Sequence, residues 1–136
     1  MLAFDLDPRA LKALRARSGR WRKSRDWGRI FPVMADVDAN LPLRAGQLDL
    51  AVAVHCSIHD NLAAIDAVLA PGGLLVYETF GGHGENWRQL PKARQLQRKL
   101  GRRFELLILE ERLVGPANEQ SVVVRLFARK HKLLEN

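Results

Sequence analysis

A chain of 136 residues, 47% hydrophobic and 27% charged, has room for one compact domain and is too short for two. No apolar stretch approaches the roughly 20 residues that a membrane-spanning helix requires, and the amino terminus lacks the basic start and apolar run of a secretory signal. The one cysteine, Cys56, cannot form a disulfide within the chain. These features predict a single domain, residues 1–136, in the cytoplasm.

The formal net charge of +7 is concentrated near the amino terminus. Between Arg9 and Arg29 the basic residues are opposed by one acid, Asp26, and two tryptophans, Trp21 and Trp27, are interleaved with them. The segment Arg15–Arg29 could therefore bind nucleic-acid phosphates and stack on bases. A solvated helix face has the same composition, and charge alone favours that simpler interpretation.

The first third of the chain predicts a strand, a helix and a second strand. The strand covers Leu2 to Leu6, and Asp7 caps the helix that follows, which ends at Ser18-Gly19. The second strand covers Ile30 to Ala35, where Pro32 indicates an edge position.

The middle of the chain predicts two buried strands around a helix. The continuous apolar run from Leu48 to Val54 is typical of a strand buried on both faces of a parallel sheet. Helical periodicity begins at Asp60 and ends at Pro71-Gly72-Gly73. The next strand covers Leu74 to Glu78, and a glycine-rich loop follows at Gly81-Gly82-His83-Gly84.

The last third predicts a helix and a hairpin. The helix runs from about Pro91 to Leu100, and two long strands follow at Phe104–Glu110 and Ser121–Arg129. Their short connection makes them antiparallel. The whole order predicts an α/β fold with a mostly parallel sheet and a C-terminal antiparallel hairpin.

Polar residues lie at or just beyond the ends of several predicted strands. Ligands of open α/β sheets bind near the carboxyl ends of the strands, and this rule selects Asp5, Asp36, His55 and Glu78. The two aspartates lie at the ends of successive strands, where one could accept ribose hydroxyls and the other an adenine amine. An aspartate after a strand is also a common cap or turn residue, so both interpretations remain open.

Four phrases, in this order, resemble the class I S-adenosylmethionine-dependent methyltransferases. They are Phe4-Asp5-Leu6-Asp7-Pro8, Ala35-Asp36-Val37, Gly46-Gln47-Leu48-Asp49-Leu50 and Leu69-Ala70-Pro71-Gly72-Gly73-Leu74-Leu75. The resemblance covers roughly Leu2 to Phe80 and implies a Rossmann-like methyltransferase sheet. Glu78-Thr79-Phe80 before a glycine-rich loop is similar to the small-molecule branch near tellurite-resistance methyltransferases.

The resemblance also implies a cofactor, S-adenosylmethionine, and residues that hold it. Asp5 would bind the ribose hydroxyls and Leu6 would lie against the adenine. Asp36 would face the adenine amine, with the Val37 amide beside the ring. Val54-His55 would line the methionine portion, although His55 could instead be an ordinary polar residue at a strand end.

The substrate side is less specific. The candidate residues are His59, Glu78, His83, Asn86 and Trp87. No Asn-Pro-Pro-Tyr-like sequence follows Val54, which disfavours the branch that methylates adenine or glutamine amines. The small-molecule acceptor is implied by the resemblance at Glu78-Thr79-Phe80. No catalytic residue is assigned, because the methyl acceptor is unknown. The single cysteine and four scattered histidines lack the spacing of metal ligands.

One departure from the family is large. The glycine-rich loop E/D-x-G-x-G-x-G, which the family places about 20 residues before the ribose-binding acid, is absent, because only four residues precede Asp5. The expectation is a sheet whose first strand is missing, poor cofactor binding and self-association. The alternative function is a basic RNA-binding module that keeps the fold without catalysis.

Overall fold

The computed structural model describes residues 1–21, 29–39, 41–56, 61–82, 93–115 and 121–132. The chain divides into two compact units, Met1–Pro42 and Leu43–Asn136. The expectation of a single domain stays a prediction. None of the helices in the described ranges is long and apolar enough to cross a membrane.

The first unit is a strand–helix–strand motif. Its elements are β1 (Leu2–Asp5), α1 (Pro8–Trp21) and β2 (Phe31–Met34), and the two strands pair in parallel. The predicted cap is confirmed, because the Asp7 Oδ1 accepts a hydrogen bond of 2.8 Å from the Arg9 N–H. The predicted helix end at Ser18 is wrong, since the helix continues to Trp21 and the Ser18 hydroxyl bonds the Arg15 carbonyl within it at 2.9 Å.

In its described residues, the second unit contains four strands and two helices. They are β3 (Leu48–Val54), α2 (Leu62–Val68), β4 (Leu69–Gly82), α3 (Ala93–Leu100), β5 (Phe104–Leu113) and β6 (Ser121–Lys130), with a 3-10 turn at Gly101–Arg103. The strand order is β3-β4-β6-β5. The predicted hairpin of β5 and β6 is confirmed, and β6 also pairs antiparallel with β4. A mostly parallel sheet does not fit this unit, because only β3 and β4 pair in parallel.

The start of β4 differs from the prediction for Pro71-Gly72-Gly73. This triplet does not end α2, which stops at Val68, but lies inside the strand. The pairing jumps from Leu48↔Leu69 to Leu50↔Leu74, so the triplet forms a bulge. A Cβ on Gly73 would lie 2.8 Å from the Ala70 carbonyl oxygen, so only glycine fits this close approach.

One face of the four-stranded sheet carries the core. Leu75 and Tyr77 of β4 are fully buried there, and β6 adds Val124 and Leu126 at neighbouring register positions. The remaining large buried side chains come mainly from the two helices: Leu62, Ile65 and Val68 of α2, and Leu96 and Leu100 of α3. We call this side of the sheet the covered face.

The other side of the sheet is different. Leu50, Val52 and Val54 of β3 are 50%, 60% and 54% exposed, and Phe80 of β4 is 46% exposed. These four residues define the open face. The prediction that β3 is buried on both faces is therefore wrong, because burial on both sides requires a complete layer against each side.

Candidate functional site

The residue after β3 has an unusual backbone. His55 has φ 54°, the single non-glycine residue with positive φ in the described ranges. Its N–H donates to the Glu78 carbonyl oxygen at 2.8 Å, which fixes it against β4. A left-handed conformation costs a non-glycine residue about 1–3 kcal/mol, and such residues cluster at functional sites. His55 is therefore held in a direction that an extended strand would not give it.

The side chain of His55 belongs to a small cluster. Its Nε2 lies 3.8 Å from the Glu78 Oε1, and its ring centroid lies 4.6 Å from that of Phe80 at a tilt of 56°. The Arg125 Nε donates to the Glu78 carboxylate. We call His55, Glu78, Phe80 and Arg125 the His55 cluster. It lies at the carboxyl ends of β3 and β4, where the fold rule predicts a ligand.

The His55 cluster combines a charge pair with an accessible aromatic surface. The Glu78 side chain is 28% exposed, whereas those of His55 and Arg125 are about half exposed. Arg125 holds the carboxylate from one side, and the imidazole approaches it from another. The cluster thus offers an imidazole that can donate or accept a hydrogen bond beside an apolar ring that can contact a small ligand.

Asp5 and Asp36 of the first unit have similar local roles. The Asp5 Oδ1 accepts from the Asp7 N–H at 2.8 Å, and the Asp36 Oδ1 accepts from the Asp38 N–H at 2.9 Å. Both are thus turn residues, as the simpler interpretation expected. An ionised carboxylate has about four acceptor positions, so these bonds use only part of each exposed group. The turn role is compatible with ligand binding.

The parallel pairing brings these aspartates to the same end of the first unit. β1 ends at Asp5 and β2 at Met34, and these two residues are register partners. Leu6 follows Asp5 and is 61% exposed, while Val37 follows Asp36 and is half buried. The side chain of Leu6 is therefore accessible to a flat apolar ligand.

The remaining predicted residues have mixed outcomes. Val54 and His55 lie at the carboxyl end of β3, and Glu78 lies beside His55. His59, His83, Asn86 and Trp87 lie outside the described residues, as do residues 22–28 of the basic segment. The sequence did not identify Arg125, although a hairpin register placing β6 against β4 would have set it opposite Glu78.

Comparisons with known proteins give the fold. No family model matches the sequence, and no curated protein matches it. An S-adenosylmethionine-dependent methyltransferase from Methanosarcina mazei superposes with a TM-score of 0.69 at 15% identity, covering 96% of this chain and 82% of that one. A geranyl diphosphate methyltransferase in complex with S-adenosylmethionine gives 0.74 at 12% identity, covering 95% and 68%.

A third solved structure is the cyclase SpnF, with a TM-score of 0.71 at 17% identity, covering 96% of this chain and 66% of that one. The chain thus spans about two thirds to four fifths of the lengths of these proteins. It has the α/β fold of the class I methyltransferases. Because a cyclase has the same fold, the fold alone does not determine the reaction.

Proposed function

We propose that this chain is an S-adenosylmethionine-dependent methyltransferase acting on a small molecule. The observation that carries the proposal is the pair of exposed carboxylates, Asp5 and Asp36, which lie at the ends of adjacent parallel strands in a chain with the methyltransferase fold. Two hydroxyls of a ribose and an exocyclic amine are donors, so carboxylates suit both ends of an adenosine.

Four residues of the first unit have separate roles in this proposal. Asp5 accepts hydrogen bonds from the ribose hydroxyls at the acceptor positions that its hydrogen bond to the Asp7 N–H does not use. Asp36 accepts from the adenine amine, and the backbone of Val37 lies beside the ring. The exposed Leu6 packs against one face of the adenine, where burial of apolar surface adds affinity.

Roles are also proposed for residues within the second unit. Bound S-adenosylmethionine supplies an electrophilic methyl group. Val54 and His55 line the methionine portion, and Glu78 faces the substrate. Because Arg125 pairs with Glu78, the carboxylate is held in one position. Catalysis of methyl transfer depends mainly on positioning, so the fixed His55 cluster is suited to orient an acceptor.

Cofactor binding to the chain tests this proposal directly. Heteronuclear NMR of the isotopically labelled chain detects both tight and weak binding. Titration with S-adenosylhomocysteine should shift the amide signals of Asp5 to Asp7, Asp36 to Asp38, and Val54 and His55.

Fragments of the cofactor sharpen the test. Adenosine should shift the signals near Asp5 and Asp36, and methionine those near His55. Asp5→Asn should weaken adenosine binding about tenfold or more, because charge-assisted hydrogen bonds contribute about 1.5–3 kcal/mol. An asparagine keeps the acceptor oxygen of the turn, so the local backbone is preserved.

Asp38→Asn is the matched control, since Asp38 is an exposed acid two residues from Asp36. It should leave adenosine binding unchanged, whereas Asp36→Asn should weaken it. The absence of amide shifts at all three segments up to saturating S-adenosylhomocysteine would refute the proposed function.

A further inference from the structure

The outer edge of β3 has backbone groups directed away from its sheet. In this sheet β3 pairs only with β4 among the described strands. The His55 N–H donates to β4, and alternate residues of a strand point the same way, so those of Ala51 and Ala53 also face β4. The N–H and C=O groups of Leu50, Val52 and Val54 therefore point to the outer edge.

This edge also has an apolar surface. Leu50, Val52 and Val54 are each at least half exposed, and they belong to the open face. Soluble proteins usually protect such an edge with lysine, proline, a bulge or a very short strand. β3 has seven residues, none of them lysine, proline or glycine, and its pairing is regular from Leu50 to Val54. An edge of this kind is suited to pair with another strand.

We propose that β3 pairs antiparallel with β3 of a second copy of this chain, about a two-fold axis at Val52. In this register Val52 faces Val52 of the partner subunit, and Leu50 faces the partner's Val54. All three outward N–H and C=O groups of each copy are then paired, which gives about six hydrogen bonds between the copies. This inference does not rest on the proposed function, although Val54 and His55 take part in both.

The same register keeps like charges apart. Asp49 lies opposite the partner's His55, and the two copies of Asp49 do not face each other. A shift of one residue would set outward backbone groups against groups that already bond β4. The arrangement uses the same surface on both copies, so it closes as a dimer and does not extend into a fibre.

The proposed contact between the two copies is small. One seven-residue strand from each copy, with three half-exposed apolar side chains, forms an interface below the standard size of stable complexes. We therefore expect a reversible dimer with a dissociation constant in the micromolar range. Sedimentation velocity on the full chain over a concentration series should show the mass rising from monomer to dimer.

Val52→Pro tests which edge is used. The Val52 N–H points outward, so a proline there removes a hydrogen bond of the dimer and none of those to β4. Val52→Lys is the second variant, because a lysine places two like charges on the axis without changing the backbone. Both variants should be monomeric at concentrations where the parent is a dimer, and circular dichroism should show unchanged secondary structure.

Cysteine cross-linking tests the register, with Cys56→Ser as the background. Val52→Cys lies on the axis, where the paired Cα atoms are about 5.5 Å apart and a disulfide can form. Leu50→Cys is the matched control, because the two copies of residue 50 lie about 13 Å apart along the strands. Oxidation should cross-link the first variant and leave the second uncross-linked.

The outcomes separate clearly. A chain that stays monomeric at every concentration overturns the proposal. A chain whose β3 pairs with a different polypeptide, and not with a second copy, also overturns it. So does a dimer that persists in both Val52→Pro and Val52→Lys, since its interface lies elsewhere. Equal cross-linking of the Val52→Cys and Leu50→Cys variants would rule out the register.

Discussion

The two faces of the four-stranded sheet have similar residue types and very different surroundings. On the covered face, Leu75 and Tyr77 are 0% exposed, whereas on the open face Val52 and Val54 are 60% and 54% exposed. Both sets alternate along neighbouring strands of one regular ladder. An apolar strand thus predicts which side chains would gain from burial. Whether a layer covers them depends on the rest of the molecule.

A matched pair of leucine truncations tests this comparison most strongly. Leu75→Ala should lower the free energy of unfolding by about 2–5 kcal/mol, because it leaves a cavity in the covered face. Leu50→Ala, on the neighbouring strand but 50% exposed, should lower it by less than about 1 kcal/mol. Urea denaturation of both variants at one low protein concentration measures the two values.

Low concentration matters in that measurement, because association through β3 would add more stability to the parent than to a variant with a smaller side chain at position 50. If the two truncations cost the same free energy, the distinction between the covered and the open face is wrong.

An ion-pair comparison should give a smaller difference. The Asp66 carboxylate of α2 is buried and pairs with Arg103 and with the Lys130 Nζ, the latter at 3.1 Å. Asp66→Asn should lower the free energy of unfolding by about 1.5–3 kcal/mol, because the buried side chain then loses its charge-assisted hydrogen bonds to the two basic groups. The same denaturation experiment measures it.

Glu105→Gln is the control for Asp66. Glu105 lies 3.6 Å from Arg129, and both side chains are about half exposed. Its loss should cost less than about 1 kcal/mol, and added salt should reduce even that. A cost for Glu105→Gln as large as that for Asp66→Asn would show that burial does not determine the strength of these pairs.

The smallest effect on stability is expected on α1. Arg15 and Arg17 are exposed, so replacing both with glutamine should change the free energy of unfolding by no more than about 0.5 kcal/mol. If the basic segment binds RNA, the pair should also lower the salt dependence of that binding by about one unit per lost phosphate contact.

The double variant Arg94→Gln with Arg98→Gln is the control, because it removes two positive charges from α3 and none from α1. Binding to a homopolymeric RNA, measured over a salt series for both double variants, separates a local contact from the effect of net charge. Equal changes in the two double variants would argue against a site on α1.

Local sequence signals predicted much of the fold. The bounds of β3 match the prediction, and the hairpin follows from two strand patterns joined by a short connection. The start of β4 was missed, because Pro71-Gly72-Gly73 is a common helix stop and equally fits a bulge. The choice between them depends on pairing with Leu48, which no local window contains.

The residues of the candidate site were also predicted only in part. Asp5, Asp36 and His55 could be identified because each follows a strand, and strand ends are visible in the sequence. Arg125 could not, since it lies 47 residues from Glu78 and meets it only through the register of β4 and β6. The sequence leaves open whether Asp5 and Asp36 act as turn residues or as ligands, and the turn role is confirmed.

The strand order also has a consequence for the time course of folding. β4 receives its antiparallel neighbour from β6, so Leu74 pairs with Arg129 and Gly82 with Ser121. Closure of such distant pairings is slow, because the intervening chain loses entropy before the contacts form. During synthesis β4 leaves the ribosome long before β6. Until β6 has formed, the outer edge of β3 and the edge of β4 that later pairs with β6 are both unpaired. We therefore expect an interval in which chaperones can bind nascent chains at these edges and in which misassembly competes with folding.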